Sequence, residues 1–327
     1  MRKTLLTLGF LFIIAAFLGI AAYGAFRRDM ARLRADLVQG STLIDTRHGV
    51  MEVAIAGEGS PVLLLHGAGG GYDQALLLGR MFGPPGHRWI AVSRFGYLRS
   101  DLPTDASTRA QAEALLDILD AQGIDRVGVI AMSGGVPPAL QLAALAPDRI
   151  TGMALLSSAP FTPLTAGSQD LPMPAWAYQM LFSSDFPIWA ILHTAPGLLD
   201  PAFDVTPALR ASLAPEDSVT VAALVQTFLP VTDRLPGLAN EGAAIDPAAS
   251  YAFDRIKAPT LIVHAKDDGI NPFPIAEFLA KSLPQARFLP VETGGHLLLG
   301  HKPDVTAAIA ETLGPRPQTP ASAPPGP

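Results

Sequence analysis

An α/β fold on a mostly parallel sheet of about eight strands, flanked by helices, is what this sequence predicts. Three observations carry that prediction. Short runs of Val, Ile, Leu and Ala recur and are apolar throughout, as strands covered on both faces must be. Helix-like stretches lie between them, the alternation that joins parallel strands by crossovers. One run, Val127-Gly128-Val129-Ile130-Ala131-Met132, breaks at once into Ser133-Gly134-Gly135 and a helix-like stretch, the pattern of a sharp strand-to-helix turn.

Taken in order, strands are expected at 42–46, 50–55, 61–65, 89–93, 127–131, 153–157, 260–264 and 287–291. Helices are expected at 72–81, 108–122, 134–146 and 303–313, with Thr108 and Asp148 placed for cap and turn chemistry. Between Ser158 and about Arg255 the alternation stops. Pro recurs there among apolar pieces, and Trp176, Tyr178, Phe182, Phe186 and Trp189 crowd a chain that is only 7% aromatic. Such a stretch packs on itself, lines an apolar pocket or lies against a bilayer.

The ends differ from the middle. Leu5 to Phe26 is nearly unbroken Leu, Ile, Phe, Ala and Gly, with Arg2 and Lys3 before it and Arg27, Arg28, Arg32 and Arg34 after it. About 22 residues at 1.5 Å each reach roughly 33 Å, enough to cross a bilayer. Residues 1–36 are therefore expected to be a single-pass membrane anchor with a basic flank. The alternative is a signal sequence cut near Ala22-Tyr23-Gly24, leaving a secreted or periplasmic protein. The Lys and Arg count favours a cytoplasmic C-terminal flank, whereas the short basic start favours export of the domain. Residues 314–327 are mostly Pro, Ala and Ser and read as a disordered tail.

At 327 residues and 49% hydrophobic, the chain has room for one large core and an insertion. A net charge of −6, without a basic stripe beyond the N-terminus, argues against a nucleic-acid partner. With no cysteine, disulfides and thiol catalysis are excluded. Gly67-Ala68-Gly69-Gly70-Gly71 lacks the Gly-Lys-Ser/Thr of a phosphate cradle, and metal-ligand spacings are missing, so no cofactor is expected.

Ser133 carries the chemistry. A serine on such a turn exposes its hydroxyl above a helix N-terminus, although a Ser-Gly-Gly turn alone can be merely structural. The string resembles the nucleophile elbow of the α/β-hydrolase family, and the resemblance runs from about Gly49 to Leu313. Pro61 to Gly71 is similar to that family's third strand and His-Gly oxyanion turn, and Trp89 to Tyr97 to the next strand and loop. Leu261 to Asp268 resembles the strand and loop of the acid, and Gly294-Gly295-His296 the loop of the base. Ala131 departs from the family's usual Gly two residues before the nucleophile, which crowds the backbone near Ser133.

The resemblance implies an α/β-hydrolase fold with a helical cap after the sixth strand. Its parts would be core 37–158, cap 159–255 and core 256–313. It also implies a catalytic Ser133, Asp268 and His296, with backbone N–H groups of Ala68 and Gly134 as the oxyanion hole. His301 is the reserve base, while His66 and His264 are expected to be structural. Asp268 is preferred to Asp267 because Ala265 stands where the family's Gly-x-x-Asp loop begins, which leaves Asp267 turn-forming or solvated. The function expected is a membrane-anchored serine hydrolase acting on an ester or related acyl bond of a small, apolar substrate. Carbon–carbon hydrolysis, perhydrolysis and acyl transfer use the same triad, and a ligand-binding protein on this fold is the non-enzymatic alternative.

Overall fold

The computed structural model describes residues 2–159, 181–244 and 250–314. Eight strands form one sheet: β1 (Thr42–Thr46), β2 (Gly49–Ala56), β3 (Ser60–Leu65), β4 (His87–Ser93), β5 (Val127–Met132), β6 (Ile150–Leu156), β7 (Thr260–Ala265) and β8 (Ala286–Val291). Their order is β1-β2-β4-β3-β5-β6-β7-β8. The first two strands run antiparallel to their neighbours and the rest are parallel. Every expected strand is present to within three residues at either end.

Ten helices accompany the sheet among the described residues: α1 (Arg2–Gln39), α2 (Tyr72–Phe82), α3 (Thr108–Ala121), α4 (Val136–Leu145), α5 (Asp185–Thr194), α6 (Pro207–Ser212), α7 (Pro215–Gln226), α8 (Leu235–Ala244), α9 (Pro274–Ser282) and α10 (Lys302–Leu313). Sequence reading missed α9, which begins at Pro274 in a short, Pro-punctuated stretch. The start of α3 is capped by Ser107, whose hydroxyl accepts the Ala110 N–H at 3.2 Å, one residue before the expected Thr108.

Parallel strands need cover on both faces, and two apolar clusters supply it. On one face Leu63, Leu65, Val129 and Leu155 pack beneath α3 and α4. On the other, Leu64, Ile130, Leu156 and Val263 pack against α2, α10 and the segment that follows β6. That segment carries α5 to α8 and no strand among its described residues. Residues 160–180, with Trp176 and Tyr178, and residues 315–327 of the expected tail lie outside the described residues.

The N-terminal helix is one continuous rod of 38 residues, running past the expected boundary at residue 36 to Gln39. Its first half exposes Leu6, Phe10, Phe12, Phe17 and Ile20, so by length and composition it is able to cross a membrane. Its second half belongs to the folded domain. Met30 is buried, and Phe26 packs edge-on against Phe186 and Trp189 of α5. Trp189 Nε1 donates to Asp29 at 3.0 Å, and the Arg34 guanidinium reaches Asp185 at 2.7 Å and Asp233 at 2.8 Å. Glu52, fully buried in β2, closes the junction by accepting from Ser41 at 2.7 Å, Ser93 at 3.0 Å and Arg99 at 2.6 Å. Two of the aromatic residues singled out in the sequence thus bind α1 instead of lining a pocket.

Truncating a well-buried Met in such a contact typically costs about 2–5 kcal/mol. Met30→Ala is accordingly expected to lower the denaturation midpoint of the domain, whereas Leu11→Ala, on the exposed half, leaves it unchanged. Chemical unfolding followed by tryptophan fluorescence reads both, because Trp189 reports on this contact.

Candidate active site

In a parallel sheet the carboxyl ends of the strands share one edge, and the loops leaving them converge. Here the loops after β3, β4, β5, β7 and β8 bring His66 to Ala68, Arg94, Ser133, Asp268 and His296 to that edge.

Ser133 follows β5 directly and has φ 52°, the left-handed region that a residue with a Cβ seldom enters. The turn leaves no room for side chains beside it. A Cβ on Gly135 would lie 2.6 Å from the Leu65 carbonyl oxygen and 2.8 Å from that of His66. Ala131, where the family has Gly, is fully buried in the ladder between Leu65 and Leu155, so its methyl is accommodated within the sheet. The Ser133 hydroxyl is 3.3 Å from Asn271 Nδ2, which donates to it, and not in hydrogen-bond contact with His296. A proton could pass between them only after the two side chains approach, and such contacts often tighten only when substrate is bound.

The imidazole and the acid are already joined. His296 Nδ1 lies 2.9 Å from Asp268 Oδ2, and the Asp268 side chain is wholly buried. Burial pushes that carboxyl up, but hydrogen bonds from His264 and His296, the charge of His296 and the Asn271 N–H outweigh it. The net effect holds Asp268 well below the usual carboxylate range. Asp268 Oδ1 accepts the backbone N–H groups of Ile270 at 2.9 Å and Asn271 at 2.8 Å, which closes its loop.

His264 was expected to be structural, yet its Nε2 lies 3.3 Å from Asp268 Oδ2 and 3.0 Å from the Asn271 carbonyl. Both partners only accept, so Nε2 carries the proton and His264 supports the acid. Asp267 is exposed and accepts the backbone N–H groups of Gly294 at 3.3 Å and Gly295 at 2.9 Å, which makes it turn-forming. Those glycines have φ 121° and 57°, so the turn that presents His296 needs residues without a Cβ. His301 stands at the head of α10, with its ring against Gly294.

The turn after β3 is held from behind. Arg94, almost fully buried, donates from Nε to the His66 carbonyl at 2.9 Å and from Nη2 to the Gly67 carbonyl at 3.2 Å. His66 Nδ1 also donates to the Gly67 carbonyl at 2.6 Å, while His66 Nε2 accepts the Arg94 N–H at 3.0 Å. One nitrogen donates and the other accepts, so the ring is neutral, and burial together with Arg94 holds its pKa well below the ordinary value. In a trans peptide, C=O and N–H point to opposite sides. Gripping the Gly67 oxygen therefore turns the Ala68 N–H away from Arg94. The guanidinium is paired with Glu241 of α8, which also accepts from Tyr97 at 3.0 Å. Burial pushes Arg94 down to about 10, which leaves it charged at neutral pH.

Ser133, His296, Gly67 and Ala68 border one cavity of about 580 Å³. Its remaining wall is largely apolar, with Leu78 and Met81 from α2 and Phe182, Leu224 and Phe228 from the segment between β6 and β7. Sequence reading missed Arg94, Asn271 and Glu241. A lone cation at the end of an apolar strand was the available signal for Arg94, because a buried guanidinium requires carbonyl or carboxylate partners. Asn271 and Glu241 lie in polar loop and helix positions that carry no such mark.

The comparisons with known proteins agree with this architecture. Residues 60–195 match the model of the alpha/beta hydrolase fold family. The chain is 31% identical over 200 residues to a putative carbamate hydrolase RutD of Pseudomonas savastanoi, covering 60% of this chain and 71% of that protein. It is 28% identical to 2-hydroxymuconate semialdehyde hydrolase of Pseudomonas putida, over 73% of this chain and 82% of that one. With a pimeloyl-[acyl-carrier protein] methyl ester esterase of Chromobacterium violaceum it shares 26% identity, over 80% and 97% of the two chains. Among solved structures, an alpha/beta hydrolase fold protein from Nakamurella multipartita superposes with a TM-score of 0.68 at 25% identity, covering 84% of this chain and 98% of that one. Sheet order, matched residues and relatives together make this chain a hydrolase of the α/β-hydrolase fold family.

Proposed function

We propose that the chain is a serine hydrolase that cleaves an ester or related acyl bond of a small, apolar substrate through an acyl-enzyme. One observation carries the reading. A serine held at positive φ just past the carboxyl end of β5 opens on the same cavity as an imidazole whose far nitrogen is bound to a buried, ionised aspartate.

In the first step Ser133 Oγ attacks the acyl carbon while His296 takes its proton. Asp268 fixes the ring orientation and stabilises the imidazolium that forms. The N–H groups of Ala68 and Gly134 receive the oxyanion, the first aimed by Arg94 and His66 through the Gly67 carbonyl. His296 then returns its proton to the leaving alkoxide, which departs as the alcohol. Water, deprotonated by the same imidazole, releases the acid and restores Ser133. No cofactor enters this scheme. The helices between β6 and β7 act as the cap, and their Phe182, Leu224 and Phe228 favour apolar acyl or aryl groups. The exposed half of α1 anchors the protein in a bilayer, a reading supported by its unbroken apolar surface.

Covalent labelling by a fluorophosphonate probe, read beside hydrolysis of short and medium p-nitrophenyl esters, tests the reaction. Labelling and turnover should both vanish in Ser133→Ala, and kcat should fall on the order of 10⁴-fold in Asp268→Asn. Turnover that survives in Ser133→Ala would remove the assignment. The names of the relatives add a carbamate and 2-hydroxymuconate semialdehyde to the panel.

Arg94→Lys should lower kcat by roughly 10–10²-fold with little change in KM, because it loosens one oxyanion donor without touching the substrate. Affinity for a boronic acid, which forms a tetrahedral anion on the serine, should fall with it.

In fractionated cells the full chain should stay with the membranes through a high-salt wash and leave them in detergent. Recovery in the salt wash would count against the anchor.

A further inference from the structure

Asp204 closes the turn Pro196–Phe203 in the segment between β6 and β7, far in sequence from any residue of the reaction. Its backbone has φ 60°, one of five left-handed non-glycine positions among the described residues, and Ser133 is another. The turn beneath it is firmly made. Val205 N–H returns to the Asp200 carbonyl at 3.0 Å, and the Asp200 carboxylate is paired with Arg210.

The side chain that this turn presents reaches across to the opposite loops. Asp204 Oδ2 accepts the backbone N–H of Gly269 at 2.8 Å and that of His296 at 2.9 Å. Gly269 directly follows the acid Asp268, and His296 is the base. A single oxygen thus spans the two loops on which the Asp268–His296 pair depends. The fit is tight: a Cβ on Gly269 would lie 2.5 Å from Asp204 Oδ1, and one on Gly295 would lie 2.9 Å from Oδ2. No side chain fits at either glycine, and a loop that withdraws gives up its hydrogen bond to Asp204.

We propose that Asp204 is a positioning residue through which the segment between β6 and β7 sets the catalytic base, so that the site is complete only while that segment is seated. The proposal rests on the serine-hydrolase reading above. Base and nucleophile are not in hydrogen-bond contact, so the placing of the His296 loop bears on whether they can meet. Misplacement of a reacting group by about 1 Å can cost on the order of 10²-fold in rate. The segment that covers the cavity and the loop that carries the base are then tied through one carboxylate.

Asp204→Ala, Asp204→Asn and Asp204→Glu in the full-length chain test this, with kcat, KM and the rate of fluorophosphonate labelling measured together. Alanine removes the acceptor and should lower kcat and the labelling rate by about 10-fold or more, with KM changed by less than about 3-fold. Asparagine keeps an oxygen able to accept both N–H groups and should restore most of that loss. Glutamate keeps the charge but displaces the oxygen by a methylene, so it should resemble alanine, and it serves alone should alanine fail to fold. Unaltered kcat in the alanine or glutamate variant overturns the proposal, as does asparagine no better than alanine. Wild-type protein that the probe does not label at Ser133 would fail the serine-hydrolase reading itself, and this proposal with it. Labelled wild type with indifferent Asp204 variants would fail this proposal alone.

Discussion

The backbone of Ser133 in the left-handed region is the constraint on which the rest of the site depends. A residue with a Cβ costs roughly 1–2 kcal/mol there, and it persists only where the surroundings leave no alternative. Here β5 runs fully buried between β3 and β6 and fixes the chain on entry. The close approach of Gly135 to the Leu65 and His66 carbonyls fixes it on exit. The same approach brings β3's end beside the serine, which is why the turn at His66 to Ala68 borders the same cavity. Ser133 and the turn at His66 to Ala68 are thus placed by one packing arrangement, and a side chain at Gly135 would disturb both.

Around that rigid centre, charged contacts add register to the apolar packing of the segment between β6 and β7. Arg234 pairs with Asp73 of α2 at 2.7 Å, Glu241 with Arg94, and Asp185 and Asp233 with Arg34 of α1, while Asp204 grips the acid and base loops. Losing one partner of a buried pair is costly, so Arg234–Asp73 and Arg94–Glu241 favour one seating of the segment. The physical benefit is local. Apolar side chains can face the cavity because directional contacts at its rim carry the register. Arg94 shows the coupling at close range, since one guanidinium touches both the carbonyls of His66 and Gly67 and a carboxylate of α8.

Strands and their order of appearance were legible because a two-sided sheet demands apolar runs, and periodicity reports burial directly. That Ser133, Asp268 and His296 come to one edge of the sheet was legible because each ends or follows such a run in a glycine-marked or acidic turn. What escaped were contacts that depend on distant segments meeting. Asp204 lies 92 residues from the amide it accepts, in a Pro-punctuated stretch with no periodic signal. His264 ends an apolar strand, and nothing local shows that its ring turns toward Asp268. The aromatic density near residue 186 was visible, but its partner, Phe26, lay in a helix read as a separate anchor.

That last contact changes how the N-terminal helix should be understood. At 1.5 Å per residue the 38-residue rod is roughly 57 Å long. No flexible link divides its exposed apolar half from the half that packs on the domain. A membrane anchor on a loose tether would let the domain tumble, whereas a rod seated by Met30, Arg34 and Trp189 would not. Tyr23 is exposed where the apolar half ends, beside Phe26, Phe186 and Trp189, and tyrosine favours the boundary between hydrocarbon and water. With α1 in a bilayer, that boundary would fall at α5. The segment that carries the apolar cavity wall and Asp204 would then stand against the membrane surface, with the sheet and its strand ends held at a fixed attitude behind it.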